Sequence, residues 1–239
     1  MTLCQINMTN CHYITDLGDA MTMTATESLS TLLRDGSKAE HTSAEGSSFM
    51  SVMLDGRISP DGYVAYLLRL QRVYAALESV ARRLEGDPIA GAVIDPALER
   101  SAALAADLDH WAGDGWRELP VDSPATDRYV ERIEASATWG GLFVAHHYTR
   151  YLGDLSGGQA IGRILGRAYE LEGTAGVEFY AFDAIPKPKP YKDAYRARLD
   201  ALPLDSAEHH RILDEVKAVF GLNEGIFSEL SADLDRWTR

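Results

Sequence analysis

Beyond residue 60 the apolar positions recur every three and four residues, the spacing of amphipathic helices. In YVAYLLRLQRVYAALESVARRLEG, Leu67, Leu70, Tyr74, Leu77, Val80/Ala81 and Leu84 form one broad stripe that stops at Gly86-Asp87-Pro88. Ser59-Pro60, Asp95-Pro96 and Ser123-Pro124 each pair an N-cap residue with proline at the first helical position. After Pro96, ALERSAALAADLDHWAG predicts an alanine-rich helix ending at Gly113, and ATDRYVERIEASA after Pro124 predicts a shorter one. Residues 139–172 read as helix apart from a cluster of glycines. DAIPKPKP (183–190) predicts a non-helical connector, and the remaining chain predicts two or three more helices. No useful period-2 stretch, internal repeat or long Pro/Gly-rich linker interrupts this pattern. The expectation is an all-α fold, one compact domain of about eight helices over residues 27–236.

Residues 1–26 have little periodicity and are expected to form a disordered tail. Cys4 and Cys11 lie there beside His12, too few ligands for a structural zinc site, and are expected to be free thiols. The first 20 residues lack a basic start and an apolar core, so no signal peptide is expected. No run approaches the roughly 20 apolar residues of a membrane span. The net charge of −13 argues against nucleic acid as a partner and makes any basic cluster conspicuous. A cytoplasmic monomer without a membrane anchor is expected.

The glycine cluster lies in RYLGDLSGGQAIGRIL, residues 150–165, and comprises Gly153, Gly157, Gly158 and Gly162. Each costs about 1 kcal/mol relative to alanine inside a helix, so something must need the space or the bend. LSGGQ matches a signature of ABC-type ATPases, but the chain has no G-x-x-x-x-G-K-[ST] loop to hold phosphates. Gly153-x-x-x-Gly157 also fits a close helix crossing. A bare, bendable helix face suits a flat ligand lying against backbone. Gly162 has no evident role.

Of seven histidines, His110, His146, His147, His209 and His210 read as surface or capping residues. His41 shares a helical face with Arg34, Lys38 and Glu45, and Glu45 at i+4 is placed to accept from the ring nitrogen not facing a metal. By itself such a histidine is more often a surface residue than a ligand. Paired Glu-x-x-His motifs of a di-iron bundle are absent. Lys187, Lys189, Lys192, Arg196 and Arg198 crowd into twelve residues, either a solvated face or a clamp for carboxylates.

Four strings carry a family resemblance: KAEHTSAE, FVAHHYTRYLGDLSGGQ, YKDAYRARL and AVFGLNEGIF. Over roughly residues 27–232 the chain resembles heme oxygenases of the soluble bacterial kind. The resemblance implies heme b held between a proximal helix and a kinked, glycine-rich distal helix. It implies His41 as the iron ligand, with Glu45 as its hydrogen-bonding neighbour. Gly153 and Gly157 would lie against the distal heme face, with Asp154 organising water beside bound oxygen. Tyr74, Tyr148 and Arg150 match the distal network and pocket wall. Lys192 and Arg196 match a propionate clamp, and Arg34 stands where a lysine is common. Phe220, Asn223 and Phe227 match pocket residues.

By the same resemblance, heme is substrate and cofactor, and molecular oxygen is consumed. A meso carbon hydroxylates itself through a ferric hydroperoxide, which a histidine ligand favours over O–O cleavage. Products are biliverdin, carbon monoxide and ferrous iron. Electrons come from outside, from a ferredoxin or flavoprotein reductase. Arg163 and Arg167 would dock it or are ordinary surface arginines. The alternative is a heme carrier or sensor without turnover, against which Asp154 argues. Two departures stand out: Gly36-Ser37, which predicts that the helix of His41 is loose or starts late, and Gly221 after Phe220.

Overall fold

The computed structural model describes residues 27–239, so the predicted tail, with Cys4 and Cys11, lies outside the described residues. In chain order the helices are α1 (Leu29–Gly36), α2 (Lys38–Glu45), α3 (Ser48–Leu54), α4 (Pro60–Arg83), α5 (Ser101–Ala112) and α6 (Pro124–Ala135). They continue with α7 (Gly140–Gly153), α8 (Gln159–Ala168), α9 (Pro188–Asp200), α10 (Ser206–Ala232) and the single turn α11 (Leu234–Trp237). The expected all-α architecture holds, with more segments than the eight or so expected because two predicted runs are divided. Between α7 and α8 the helix does not stop. Asp154–Gly158 form a π-turn, the irregularity at which long helices bend.

Local chemistry sets several starts as expected. Ser59 accepts from the Gly62 amide at 3.1 Å to open α4, and Ser123 does the same for Thr126 at 3.2 Å to open α6. The stripe Leu67, Leu70, Tyr74, Leu77 and Val80 of α4 is buried, and α4 packs on α5 and α6. A capping box between Asp205 and Glu208 opens α10, which packs on α7, α6, α2 and α1.

The structure departs from the sequence pattern at three places. Asp95 and Pro96 open only one 3-10 turn, because Glu99 turns extended, with ψ at 137°. The helix restarts at Ser101, where buried Glu78 of α4 accepts from the amides of Arg100 and Ser101 at 2.7 and 2.8 Å. A distant carboxylate therefore does the capping. The connector 183–190 is shorter than predicted. Pro188 and Pro190 sit in the first turn of α9, where a missing N–H costs nothing. His146 and His147 are buried in the core, not surface or capping residues, because α10 covers His146 and Tyr195 of α9 covers His147. His146 Nε2 lies 3.0 Å from Glu215 Oε1, and His147 Nδ1 lies 2.9 Å from the Tyr195 hydroxyl.

The break predicted at Gly36-Ser37 is present. α1 ends at Gly36, where Leu213 of α10 fills the space a side chain would need: a Cβ there would come 2.7 Å from Leu213 Cδ2. The helix carrying His41 therefore begins late, at Lys38.

Candidate active site

A cavity of about 640 Å³ opens between α1–α2, the α7–π-turn–α8 helix, α9 and α10. That size suits a small-molecule or cofactor site. From α1 and α2 it receives Arg34, Lys38 and His41. His41 is exposed to this opening, and its ring meets Phe220 edge-on with centroids 5.7 Å apart. Glu45 ends α2, but its side chain lies outside the described residues, and with it the expected contact to His41. The guanidinium of Arg34 makes two bonds to Asp35, at 2.8 and 2.9 Å, on the exposed rim.

The opposite wall is the glycine segment. Gly153 and Gly157, four residues apart, leave the backbone bare: a Cβ at either would meet nothing within 4 Å. Gly158 and Gly162, also four apart, lie against Tyr180, and Gly158 lines the cavity as well. A Cβ at Gly158 would come 3.1 Å from the Tyr180 ring, and one at Gly162 would come 2.9 Å from Tyr180 Cβ. The four glycines thus form two pairs: Gly153 and Gly157 leave open space at the cavity, and Gly158 and Gly162 admit Tyr180, itself part of the cavity wall. None of the four has a positive φ, so missing side-chain volume, not an unusual backbone angle, is what the structure uses. Gly162, without a role in the sequence, gains one here.

Between the bare glycines stands Asp154, buried at 9% exposure. The Tyr74 hydroxyl donates to Asp154 Oδ2. Arg150 Nε donates to the Tyr74 oxygen at 3.0 Å, and Arg150 Nη1 donates to Asn223 Oδ1 at 2.9 Å. Arg150 Nη2 also lies 3.9 Å from Asp154 Oδ1. A guanidinium has no acceptor, so the Tyr74 proton is forced toward Asp154. Burial pushes the Asp154 carboxyl above its ordinary range, opposed by Arg150 and the Tyr74 hydroxyl. Burial likewise pushes the Tyr74 phenol well up, which keeps it a donor. The result is a one-way hydrogen-bond chain ending on a carboxylate at the cavity wall.

The expected clamp divides. Arg196 lines the cavity, while Lys192 stands beside it and donates to Ser156 Oγ at 2.9 Å. Lys189 pairs with Asp193 at 2.7 Å in solvent, and Arg198 donates to the Ala92 carbonyl at 2.7 Å. Tyr148 lines the wall from α7, and Phe220, Asn223 and Phe227 do so from α10. Tyr74 does not reach the cavity surface; it is fully buried behind Asp154. Sequence reasoning missed Tyr66, Ser156, Phe179 and Tyr180, which also line the cavity. Tyr66 was legible as a residue two turns before Tyr74 on α4. Phe179 and Tyr180 lie in a short 3-10 turn with no periodic signal.

The lining fits a large flat anion with a metal centre. One face is bare backbone, an imidazole enters from α2, apolar rings flank it, and cations stand at the rim. Residues 27–229 match the family model described as heme oxygenase. Heme oxygenase 1 of a Nostoc species is 40% identical over 207 residues, covering 86% of this chain and 87% of its own. Heme oxygenase 1 of rat is 38% identical over 209 residues, covering 86% of this chain and 72% of its own. The crystal structure of heme oxygenase-1 from the cyanobacterium Synechocystis in complex with heme superposes with a TM-score of 0.83 at 36% identity, covering 88% of this chain and 95% of its own. The heme oxygenase structure from Leptospira interrogans gives 0.80 at 38% identity, covering 85% of this chain and all of its own.

Proposed function

The chain belongs to the heme oxygenase family, and from that premise we propose how its cleft degrades heme to biliverdin, carbon monoxide and ferrous iron. The observation that carries the reading is the bare pair Gly153 and Gly157 with buried Asp154 between them, in one cavity with His41. Heme bound there supplies an iron centre for molecular oxygen and a porphyrin edge that is itself oxidised.

The chain's own residues do the rest. His41 offers an imidazole nitrogen to the iron from α2, with Glu45 as its neighbour. Gly153 and Gly157 let the porphyrin and a small diatomic lie against backbone, where any side chain would intrude. Asp154, held by Tyr74 and Arg150, would hold a water at the cavity wall as the proton donor. Asn223 fixes Arg150, so the chain has a single orientation. Arg196, Lys192, Arg34 and Tyr148 stand at or beside the rim, where they would receive the two propionates and so set which edge of the ring is oxidised. Phe220 and Phe227 pack on the ring and exclude water. Arg163 and Arg167 are exposed on α8 and dock the acidic ferredoxin or flavoprotein reductase that supplies electrons. A carrier would need His41 and the rim cations but not the buried proton chain, which favours the enzyme.

The test is spectroscopic. Protein loaded with hemin is given a reductant in air. Loss of the heme band with growth of a biliverdin band is expected. A heme spectrum that persists through reductant and oxygen would overturn the reading in favour of a carrier.

A further inference from the structure

We propose that Asp107, on α5 and outside the cavity, is a positioning residue for the distal wall, acting through the 3-10 turn Glu178–Tyr180. The proposal rests on the heme-degrading reading above. Asp107 is fully buried. Its two oxygens accept from successive backbone amides, Glu178 at 2.7 Å and Phe179 at 2.9 Å. Among the described residues no cation pairs with it. A buried carboxylate without a cation is costly to keep, and here burial lifts its proton affinity to about 7 against the pull of the Phe179 and Glu178 amides. All of its hydrogen bonding goes into one turn.

That turn holds both halves of the proton chain. Phe179 packs edge-on against Tyr74, with centroids 5.3 Å apart and planes at 72°. Tyr74 donates to Asp154. Tyr180 fills the hollow over Gly158 and Gly162, within the π-turn and the start of α8, and so holds the segment that carries Asp154. Asp107 thus fixes the donor through Phe179 and the acceptor through Tyr180, without touching either.

Asp107→Asn is nearly isosteric but has one acceptor oxygen. Its NH2 group then faces a backbone N–H, donor against donor, so that backbone amide loses its acceptor. In apo-protein, hydrogen exchange at the Glu178 and Phe179 amides is expected to quicken by about 10- to 100-fold, the range for an unpaired buried group. The Tyr74 and Tyr180 ring resonances are expected to shift in protein labelled at tyrosine. Hemin affinity should fall less than the biliverdin share does, because Phe179 and Tyr180 line the cavity while His41 and the rim cations lie on other elements. The share of consumed heme recovered as biliverdin should fall by about tenfold, while KM is little changed. If Asp107→Asn fails to fold, Asp107→Glu keeps both acceptors but displaces them, and the same readouts apply. Unchanged exchange and ring resonances, or an unchanged biliverdin share, would overturn the proposal. Failure of wild-type protein to form biliverdin would sink the functional reading alone, since exchange and resonances are measured without heme.

Discussion

The two glycine pairs make opposite predictions for chemically similar substitutions. Gly153 lies at the end of α7 with ordinary helical angles, φ −61° and ψ −51°, and open space where a Cβ would go. A leucine there gains helix propensity of close to 1 kcal/mol over glycine. For a domain of this size that raises the melting temperature of apo-protein by about 2–4 °C. The same side chain fills the space against which heme should lie. Overlap of that kind costs about 1–3 kcal/mol, which lowers hemin affinity or biliverdin turnover by about 10- to 100-fold. Gly162→Ala behaves in reverse. Its new Cβ lies 2.9 Å from Tyr180 Cβ, an atom close to backbone that cannot swing away. Overpacking outweighs the propensity gain, for a net loss of up to about 2 kcal/mol and a melting temperature lower by about 4–8 °C. The assay is a thermal melt of each apo-protein by circular dichroism, followed by hemin titration and reductant-driven turnover. Full turnover with leucine at 153, or a higher melting temperature with alanine at 162, would refute the assignment of faces.

Asp154→Ala should retain hemin within a few-fold and consume it without biliverdin, since His41 binds and Asp154 only directs the proton; a normal biliverdin yield refutes this role. Glu215→Gln should destabilise the fold. Although burial opposes its charge, bonds from His146 and Arg132 hold Glu215 at about 2, so it stabilises fully above its ordinary 4.5 and the gain is lost as pH falls from there toward 2. After allowance for solvent screening at half-exposed Arg132, the loss in the variant at pH 7 is about 2 kcal/mol by chemical denaturation. His147 adds to acid sensitivity: burial, then Arg198, lowers it from 6.5 to about 3, so the unfolded chain binds the extra proton and stability falls as pH drops below 6.5. His147→Phe should flatten the upper part of that pH dependence, and an unchanged slope between pH 6.5 and 5 refutes it. Charge reversal at Arg163 and Arg167 should slow reductase-driven turnover by about tenfold at low salt and leave chemically driven turnover intact; equal loss in both assays counts against a docking role.

Much of the site was legible as residue identity. The chain from Arg150 to Asp154, the isolated His41 and the basic run of α9 each stood out, and all but Glu45, Tyr74 and Lys192 of the expected site residues line one cavity. What the sequence could not show was direction. Tyr74 and Asp154 are 80 residues apart and Arg150 and Asn223 are 73 apart, so the hydrogen-bond order among them exists only after α4, α7 and α10 pack.

By itself the sequence determined the helices, because a 3.6-residue period, an N-cap serine and a proline at the first turn act within a few residues of chain. The apolar stripe of a helix such as α4 also announced its buried face, but the tertiary structure alone decided which distant segments met there. It made one glycine pair a cavity wall and the other a seat for Tyr180. It moved the start of α5 to a cap supplied by Glu78, and it buried His146 and His147. Those outcomes depend on desolvation and close contact between distant segments, and neither force acts until the chain has closed on itself.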